Sequence, residues 1–296
     1  MRILLFGKDG QVGWELQRSL ALLGELVALE RDSREHCGDL TDLAGLAATV
    51  RAVHPQVIVN AAAYTAVDRA ESETDLARRV NAEAPAVLAR EAGAIGAWLV
   101  HYSTDYVYDG SGTRPWREGD TPAPLGTYGQ TKLEGDRAVG SIARHLILRT
   151  SWVYSARGGN FARTMLRLAA ERDALSVVAD QVGAPTSAEL LADVTAHLLR
   201  SATGAQHLAG LYHVAAAGET SFHGYARHVL ERARGHGRAL RTGPDQVKAI
   251  ASADFPLPAR RPLNSRLDTT RLTSTFGLTL PDWRWHLDRV IAEWCD

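Results

Sequence analysis

Short runs of continuously apolar residues alternate with stretches of helical periodicity through the first half of the chain. The apolar runs lie at Arg2–Phe6, Leu26–Glu30, Val57–Asn60, Ala97–Tyr102 and Leu146–Arg149. The helical stretches lie at Val12–Leu23, Asp42–Val53, roughly residues 75–92, and Thr127–Val139. Apolar runs of this length are typical of strands buried on both faces of a parallel sheet, whose successive strands are joined by helices. The pattern predicts an α/β protein with a doubly wound parallel sheet.

Beyond about Ser151 the pattern changes, because loop-length segments rich in glycine and proline become commoner. Helices are predicted near Phe161–Arg172, Ala188–Arg200, Tyr225–Ala233 and Trp283–Trp294, and strands at Leu175–Val178, Leu211–Val214 and Val247–Ala251. A chain of 296 residues has room for two domains. We expect a dinucleotide-binding domain over residues 1–150. Residues 151–296 should form a smaller mixed α/β substrate-binding domain, with some segments returning to the first.

Composition and charge exclude several classes of protein. The 33 Lys and Arg residues balance 34 Asp and Glu residues, and a net charge of −1 argues against a general nucleic-acid binder. Two cysteines are too few for a disulfide scaffold. No run approaches the ~18 apolar residues of a membrane span, and the first apolar run is too short for a signal peptide. We therefore expect a soluble cytoplasmic protein with neither nucleic acid nor membrane as a partner.

Three glycines, Gly7, Gly10 and Gly13, follow the first predicted strand and open the first helix. Glycine lets the chain turn sharply there and lets backbone N–H groups approach a pyrophosphate without an intervening Cβ. The end of the helix adds partial positive charge. A plain turn before a helix would use the same residues, but the position after strand one favours the phosphate loop of a Rossmann-type fold.

The second predicted strand ends in two residues that favour different nicotinamide cofactors. Glu30 can accept hydrogen bonds from the two ribose hydroxyls of NADH, whereas Arg31 can pair with the 2′-phosphate of NADPH. The sequence therefore leaves NADPH and NADH both open. Asp39, followed by Leu40, could hold the adenine or could cap the next helix.

Polar residues that can carry proton transfer follow the fourth predicted strand. Thr104 lies where that strand ends, and ligands of parallel sheets bind at such carboxyl ends. Tyr128 and Lys132 lie four residues apart on one face of a predicted helix. A nearby ammonium lowers the pKa of a phenol, which has an ordinary value of about 10. Together the three residues predict a tyrosine that serves as general acid or base. His101, in the same strand, is expected to be packed in the core.

Segments along essentially the whole chain are similar to one superfamily. They are Leu4–Leu16, Val59–Glu71, His101–Tyr108, Tyr128–Lys132, Arg149–Tyr154, Asp180–Thr186 and Arg260–Leu267. On these segments the chain resembles the extended, nucleotide-sugar branch of the short-chain dehydrogenase/reductase superfamily, and within it the reductases that make dTDP-L-rhamnose. The resemblance implies reduction of the C4 carbonyl of dTDP-4-dehydro-L-rhamnose by NADPH or NADH. The product would serve surface polysaccharide such as O-antigen.

The resemblance also implies roles for individual residues. Cofactor contacts fall on Gly10, Gln11 and Val12 at the pyrophosphate, on Glu30, Asp39 and Leu40 at the adenosine, and on Ala63, Tyr64, Thr65 and Tyr102 along the cleft. Tyr128 would donate the proton, and Lys132 would assist it and hold the nicotinamide ribose. Substrate contacts fall on Thr104, Asp105, Trp152 and Arg261. The alternatives are that Tyr64 and Tyr102 are core aromatics and that Trp152 fills a domain interface.

A metal ion and a second subunit are implied in the same way. Similar proteins can bind magnesium near a homodimer contact, and Glu15, Glu189 and Glu293 match those positions. Carboxylate oxygens suit a hard cation such as Mg²⁺. The alternative is that all three are solvated carboxylates on helix surfaces.

Two rival functions use the same fold. Similar dehydratases place an Asp-Glu pair directly after the active-site threonine, whereas here Thr104 is followed by Asp105 and Tyr106, which favours simple reduction over dehydration or epimerisation. A non-enzymatic regulatory subunit, resembling that of methionine adenosyltransferase, is the second rival. It gives no reason for the complete set of Thr104, Tyr128 and Lys132.

Overall fold

The computed structural model describes residues 1–295 and consists of twelve strands and eleven helices over that range. The strands are β1 (Arg2–Phe6), β2 (Glu25–Leu29), β3 (Val57–Asn60), β4 (Trp98–Thr104), β5 (His145–Thr150), β6 (Val153–Tyr154), β7 (Leu175–Val178), β8 (Val182–Gly183), β9 (Thr186–Ser187), β10 (Gly210–His213), β11 (Thr220–Ser221) and β12 (Val247–Ile250). The helices are α1 (Gln11–Ala21), α2 (Leu43–Val53), α3 (Val67–Ala70), α4 (Thr74–Arg78), α5 (Ala84–Ile95), α6 (Thr127–Val139), α7 (Phe161–Glu171), α8 (Ala188–Ala202), α9 (Phe222–Gly235), α10 (Thr270–Phe276) and α11 (Trp283–Cys295).

Six parallel strands form the central sheet, in the order β2-β1-β3-β4-β5-β10. Because β1 lies between β2 and β3, the chain winds in one direction from β1 and in the other from β3. The prediction of a doubly wound, Rossmann-type sheet is confirmed. In such sheets the ligand binds beyond the carboxyl ends of the strands, where the winding reverses. Here that point lies between β1 and β3.

The central strands are buried on both faces, which explains their continuously apolar sequence. In β1, Ile3 and Leu5 belong to the core that includes α1 and α8, whereas Leu4 and Phe6 belong to the core that includes α2 and α5. The alternation of side chains along a strand thus supplies both layers. No helix within residues 1–295 has both the length and the apolar character needed to cross a membrane.

The second half of the chain supplies one strand of the central sheet and most of a smaller unit. Three two-stranded sheets form there, pairing β7 with β12, β8 with β11, and β6 with β9. Helices α7, α9 and α11 pack around a cluster of aromatic residues that includes Phe161, Phe222, Tyr225 and Trp283. Strand β10 pairs with β5, so residues beyond 150 complete the central sheet. The domain boundary at residue 150 stays a prediction.

Candidate active site

The glycine loop forms a tight turn between β1 and α1. Gly7 has a φ of +83°, a conformation that favours glycine, and the N–H groups of Gly7 and Lys8 donate to the Leu29 carbonyl at 2.8 and 3.1 Å. A Cβ on Gly13 would lie 1.9 Å from the Gly7 carbonyl oxygen, so only glycine lets the helix begin this close to the turn. Gly10 precedes α1 and offers no side-chain cap. The first N–H groups of α1 therefore lack side-chain caps, as a diphosphate site requires.

Eight of the residues predicted to bind cofactor line one cavity of about 510 Å³ beside this turn. They are Gly7, Gly10, Glu30, Arg31, Asp39, Leu40, Ala63 and Tyr64. The cavity lies at the switch point between β1 and β3. Asp39 does not cap the next helix, because Asp42 does so by accepting from the Gly45 N–H at 2.9 Å. Asp39 instead accepts from the N–H and hydroxyl of Thr41, each at 2.8 Å.

Charged side chains surround the mouth of this cavity. Arg31 lies 3.3 Å from the Asp39 carboxylate, and the ammonium of Lys8 lies 3.4 Å from Glu30. A hydrogen bond with Asp9 raises the pKa of Glu30 above its ordinary value. A carboxylate for ribose hydroxyls and cations for a 2′-phosphate are thus both present, which keeps both cofactors open.

Among the predicted cofactor residues outside the cavity are Gln11, Val12 and Thr65. The Gln11 amide donates to the Gly159 carbonyl at 3.3 Å, and its own oxygen is buried without a hydrogen-bond partner. Val12 packs against the main core, and Thr65 is exposed. Gln11 thus links the start of α1 to a loop of the second half.

A buried asparagine that the sequence analysis missed joins the cofactor loop to α6. The N–H of Tyr64 donates to the Asn81 side-chain oxygen at 2.9 Å, and the Asn81 amide donates to the Tyr64 carbonyl at 3.0 Å and to Thr131 at 3.3 Å. Asn81 lies in a π-helical turn over residues 79–83 that interrupts the single helix predicted there. The one sequence signal was Pro85, because proline cannot donate to the preceding turn. Tyr64 also donates to Glu73 at 2.6 Å, so it is no core aromatic.

Thr104 and Tyr128 meet at the carboxyl end of β4, as their positions predict. Burial raises the pKa of Tyr128 above its ordinary value, and a hydrogen bond with Thr104 opposes that shift. Tyr106 packs edge-on against the Tyr128 ring, with centroids 5.4 Å apart. The half-buried phenol is therefore protonated, the state that a general acid needs. The expected lowering of its pKa by Lys132 is not seen, because burial dominates and Lys132 is not among the groups that shift it.

Lys132 is fully buried beside the same strand. Its ammonium donates to the Tyr102 carbonyl at 2.6 Å and lies 3.3 Å from Nε2 of His101. Burial lowers the pKa of Lys132 to about 8, against the opposing charge of Asp136. The side chain of Tyr102 points away, and its hydroxyl lies 2.5 Å from that of Thr195 on α8. Tyr102 therefore serves the site through its carbonyl group.

A chain of buried polar side chains lies behind α6. One carboxylate oxygen of Asp136 accepts from Ser103 at 2.9 Å and from Arg149 at 3.0 Å. Arg149 also donates to the Tyr108 hydroxyl at 2.9 Å, which lies 2.8 Å from Nε2 of His213. Burial lowers the pKa of His213 to about 4. These contacts fix α6 to β4, β5 and β10, and so fix the two catalytic candidates that α6 carries.

The residues predicted to contact the sugar lie at the border with the second half. Asp105 accepts from the Thr104 hydroxyl at 3.1 Å, and burial raises its pKa to about 6. Trp152 has a φ of +49°, a conformation that is rare outside glycine and is often found at functional sites. Its ring stacks on Phe222 with centroids 3.8 Å apart, and Gly183 lies against its edge. Trp152 is therefore packed against residues of the second half.

A second cavity, of about 710 Å³, extends from this border into the second half. It is mostly apolar, and its lining includes Phe161, Leu168, Val177, Phe222, Ile250 and Arg261. Arg261 donates to Asp68 at 2.7 Å with one nitrogen, while its other terminal nitrogen is buried without a partner. The sequence analysis missed this cavity because its walls come from segments far apart in the chain.

The three glutamates proposed for magnesium do not meet in one chain. Burial and the charge of Glu189 raise the pKa of Glu15, so these two carboxylates are neighbours on α1 and α8. Glu293 instead lines a different surface cavity, beside Arg163 and Trp294. Among residues 1–295 no three His, Cys, Asp or Glu side chains form a group able to hold a metal ion. The described donors of this chain therefore do not fit a metal site.

A doubly wound sheet with a glycine turn at its switch point, and a Thr-Tyr-Lys set beside it, defines an extended short-chain dehydrogenase/reductase. A family model described as the RmlD substrate binding domain matches residues 1–295. The chain belongs to that family, and it is an oxidoreductase.

Relatives with known names cover the whole chain. It is 53% identical over 294 residues to a dTDP-4-dehydrorhamnose reductase of Shigella flexneri, which covers 99% of this chain and 98% of the relative. Among solved structures, a dTDP-4-dehydrorhamnose reductase from Clostridium acetobutylicum is 33% identical, with a TM-score of 0.89 and 99% of each chain covered. A Bacillus anthracis reductase of the same name, in complex with NADP, is 31% identical, with a TM-score of 0.87 and 99% of each chain covered.

Proposed function

We propose that the chain reduces the C4 carbonyl of dTDP-4-dehydro-L-rhamnose to dTDP-L-rhamnose with NADPH or NADH. The observation that carries this proposal is the protonated Tyr128 hydrogen-bonded to Thr104, on the same helix as the buried Lys132. The chain also has a cavity lined by the glycine turn and a second, mostly apolar cavity. The identity of the substrate is drawn from the names of full-length relatives at up to 53% identity. The same similarity favours reduction over dehydration, epimerisation or a purely regulatory role.

The chemistry divides simply among these side chains. When bound, the reduced nicotinamide cofactor supplies the hydride that adds to C4. Tyr128 gives its phenolic proton to the carbonyl oxygen, which becomes the C4 hydroxyl, and the phenolate is then reprotonated from solvent. Thr104 donates a hydrogen bond to the same oxygen and orients it. The positive charge of Lys132 stabilises the phenolate as it forms.

The two cavities suggest where each ligand lies. The adenosine of the cofactor would occupy the 510 Å³ cavity, with Glu30 and Arg31 at its ribose. The sugar nucleotide would extend from Tyr128 past Trp152 into the 710 Å³ cavity, where the free nitrogen of Arg261 suits its diphosphate. In this arrangement residues 1–150 hold mainly the cofactor, and residues 151–296 mainly the sugar nucleotide.

The wider setting is part of the proposal. The product would feed a surface polysaccharide such as O-antigen, and the enzyme would act in the cytoplasm without nucleic acid or membrane partners. Magnesium and a homodimer are proposed together, because a site built from Glu15, Glu189 and Glu293 would need carboxylates from two subunits. The chemical step uses no metal in this scheme.

The function is tested by following the absorbance of reduced nicotinamide with the 4-keto sugar nucleotide as substrate. We expect one cofactor oxidised per sugar reduced, with the same turnover in the presence of a chelator. A dehydratase or epimerase would regenerate its cofactor and give no lasting loss of absorbance, and a regulatory subunit would give no turnover. Either result would refute the proposal, and loss of turnover with chelator would refute metal-free chemistry.

Cofactor preference should be weak. Glu30 favours NADH and Arg31 favours NADPH, so kcat/KM for the two should differ by less than ~100-fold, or about 2.7 kcal/mol. Arg31→Ala should lower kcat/KM for NADPH alone, and Glu30→Ala that for NADH alone. Steady-state kinetics with both cofactors measure this. A wild-type preference above ~100-fold, or equal losses with both cofactors in either variant, would contradict it.

A further inference from the structure

The turn before α1 brings two charged side chains to the end of β2. The N–H groups of Gly7 and Lys8 both donate to the carbonyl of Leu29, at 2.8 and 3.1 Å, and Leu29 is the last residue of β2. The turn is thus fixed directly beside Glu30, the residue that follows this strand. Asp9 and Glu30 both line the 510 Å³ cavity to which the adenosine is assigned. The side chains of this turn therefore belong to the surroundings of the adenosine ribose.

The ammonium of Lys8 lies between two carboxylates. Its nitrogen is 3.2 Å from each oxygen of Asp9 and 3.4 Å from an oxygen of Glu30. A hydrogen bond between the two carboxyls raises the pKa of Glu30. When both carboxylates are ionised, one cation does not balance them, and the three side chains together carry one net negative charge.

The side chain of Asp9 is not needed to hold the turn. Among residues 1–295 its hydrogen bonds involve the side chains of Lys8 and Glu30, and none involves the backbone. The carboxylate is exposed, so it does not serve the packing of the core either. Its position beside Glu30 is therefore better explained by the ligand of the cavity than by the fold.

NADH and NADPH differ at the 2′ position of the adenosine ribose. A 2′-hydroxyl donates a hydrogen bond to a carboxylate, whereas a 2′-phosphate is an anion that a carboxylate repels. The ammonium of Lys8 already faces Asp9 and Glu30. The guanidinium of Arg31 is paired with Asp39 at 3.3 Å. A 2′-phosphate would therefore have to compete with carboxylates of the chain for either cation.

We propose that Asp9 is a specificity-determining residue that disfavours NADPH, because it adds a second carboxylate near the 2′ position and engages the Lys8 ammonium. The proposal rests on the nicotinamide cofactor proposed above, with its adenosine ribose at Glu30, and is independent of the identity of the sugar. Lys8 has three N–H groups on a flexible side chain. With Glu30 alone beside it, the ammonium could turn towards a phosphate. With Asp9 present, it is held between two carboxylates.

Replacing Asp9 with asparagine removes the charge and keeps the shape of the side chain, and asparagine is also a common turn residue. We expect the Kd for NADPH to fall by ~3–20-fold and the Kd for NADH to stay within ~2-fold of wild type. The gain for NADPH should shrink as the salt concentration rises, because the charges involved are exposed to solvent. Fluorescence titration with each reduced cofactor, without sugar, measures both constants.

A matched control changes the net charge by the same amount elsewhere. Asp173 is an exposed carboxylate of the second half, is paired with Arg241 and does not line the cofactor cavity. Asp173→Asn should leave both Kd values unchanged. Without a selective gain for NADPH in Asp9→Asn, or with an equal gain in Asp173→Asn, the proposal would be overturned. Failure of the proposed function would be seen separately, because wild type would then bind neither cofactor, which would refute that function and this inference together.

Discussion

Replacing Tyr128 with phenylalanine is expected to lower kcat by ~10²–10⁴-fold while leaving NADPH affinity within a few fold. The ring would keep its edge-on contact with Tyr106, so the packing of the site should survive. What disappears is the proton donor, because the phenol of Tyr128 is the acidic group that hydrogen-bonds with Thr104. Single-turnover kinetics with the 4-keto sugar nucleotide separate the chemical step from binding.

A matched control uses another buried tyrosine. The Tyr225 hydroxyl has no hydrogen-bond partner, so Tyr225→Phe removes the same atom at no cost in hydrogen bonding. That variant should retain wild-type kcat. If Tyr128→Phe turned over at the wild-type rate, or if both variants lost activity equally, Tyr128 would not be the proton donor.

Replacing Arg149 with methionine is expected to lower the free energy of unfolding by about 3–5 kcal/mol. Arg149 and Asp136 are each only 4% exposed, and the arginine is the cation bonded to that carboxylate. Without Arg149, the Asp136 carboxylate would be a buried charge without its cation. One of its two oxygens already lacks a hydrogen-bond partner. Urea unfolding at pH 7 measures the loss.

The pH dependence of that loss supplies an internal check. Burial already raises the pKa of Asp136, and removing Arg149 would raise it further. A carboxyl whose pKa is higher in the folded state binds its proton more tightly there, so folding gains stability as the pH falls. The difference in the free energy of unfolding between wild type and variant should therefore shrink towards acid pH.

Arg167→Met removes an exposed ion pair with Glu171 and should lower the free energy of unfolding by less than ~1 kcal/mol. Equal losses in the two variants would contradict a special role for the buried pair.

The sequence predicted the parts of the site that depend on local pattern. The strand at Arg2–Phe6 and the helix at Thr127–Val139 have the predicted bounds, because apolar runs and helical periodicity report burial directly. The sequence also allowed Gly7 and Tyr128 to be assigned to a ligand site, because ligands bind at the carboxyl ends of parallel strands.

Features that depend on contacts between distant segments could not be predicted. The π-helical turn that directs Asn81 inward has no periodic pattern in the sequence. The cavity of the second half is lined by segments that lie far apart in the chain, Arg261 among them. The direction of Tyr102 depends on Thr195, 93 residues away. Tyr102 and His101 are consecutive in β4, so their side chains point to opposite faces of the strand and only one of them can meet Lys132. Only tertiary packing determines which face of the strand lies under α6.

The last strand of the central sheet has a consequence for how the chain is made. β10 pairs along β5 but is synthesised some 60 residues after it. Until then β5 is an open edge, with unpaired N–H and C=O groups that could recruit another strand. On the ribosome, the sheet cannot close before residue 213 has emerged. A fragment ending near residue 150 would keep that edge permanently and should be prone to aggregation. The cofactor half therefore depends on the rest of the chain for its solubility as well as for its substrate.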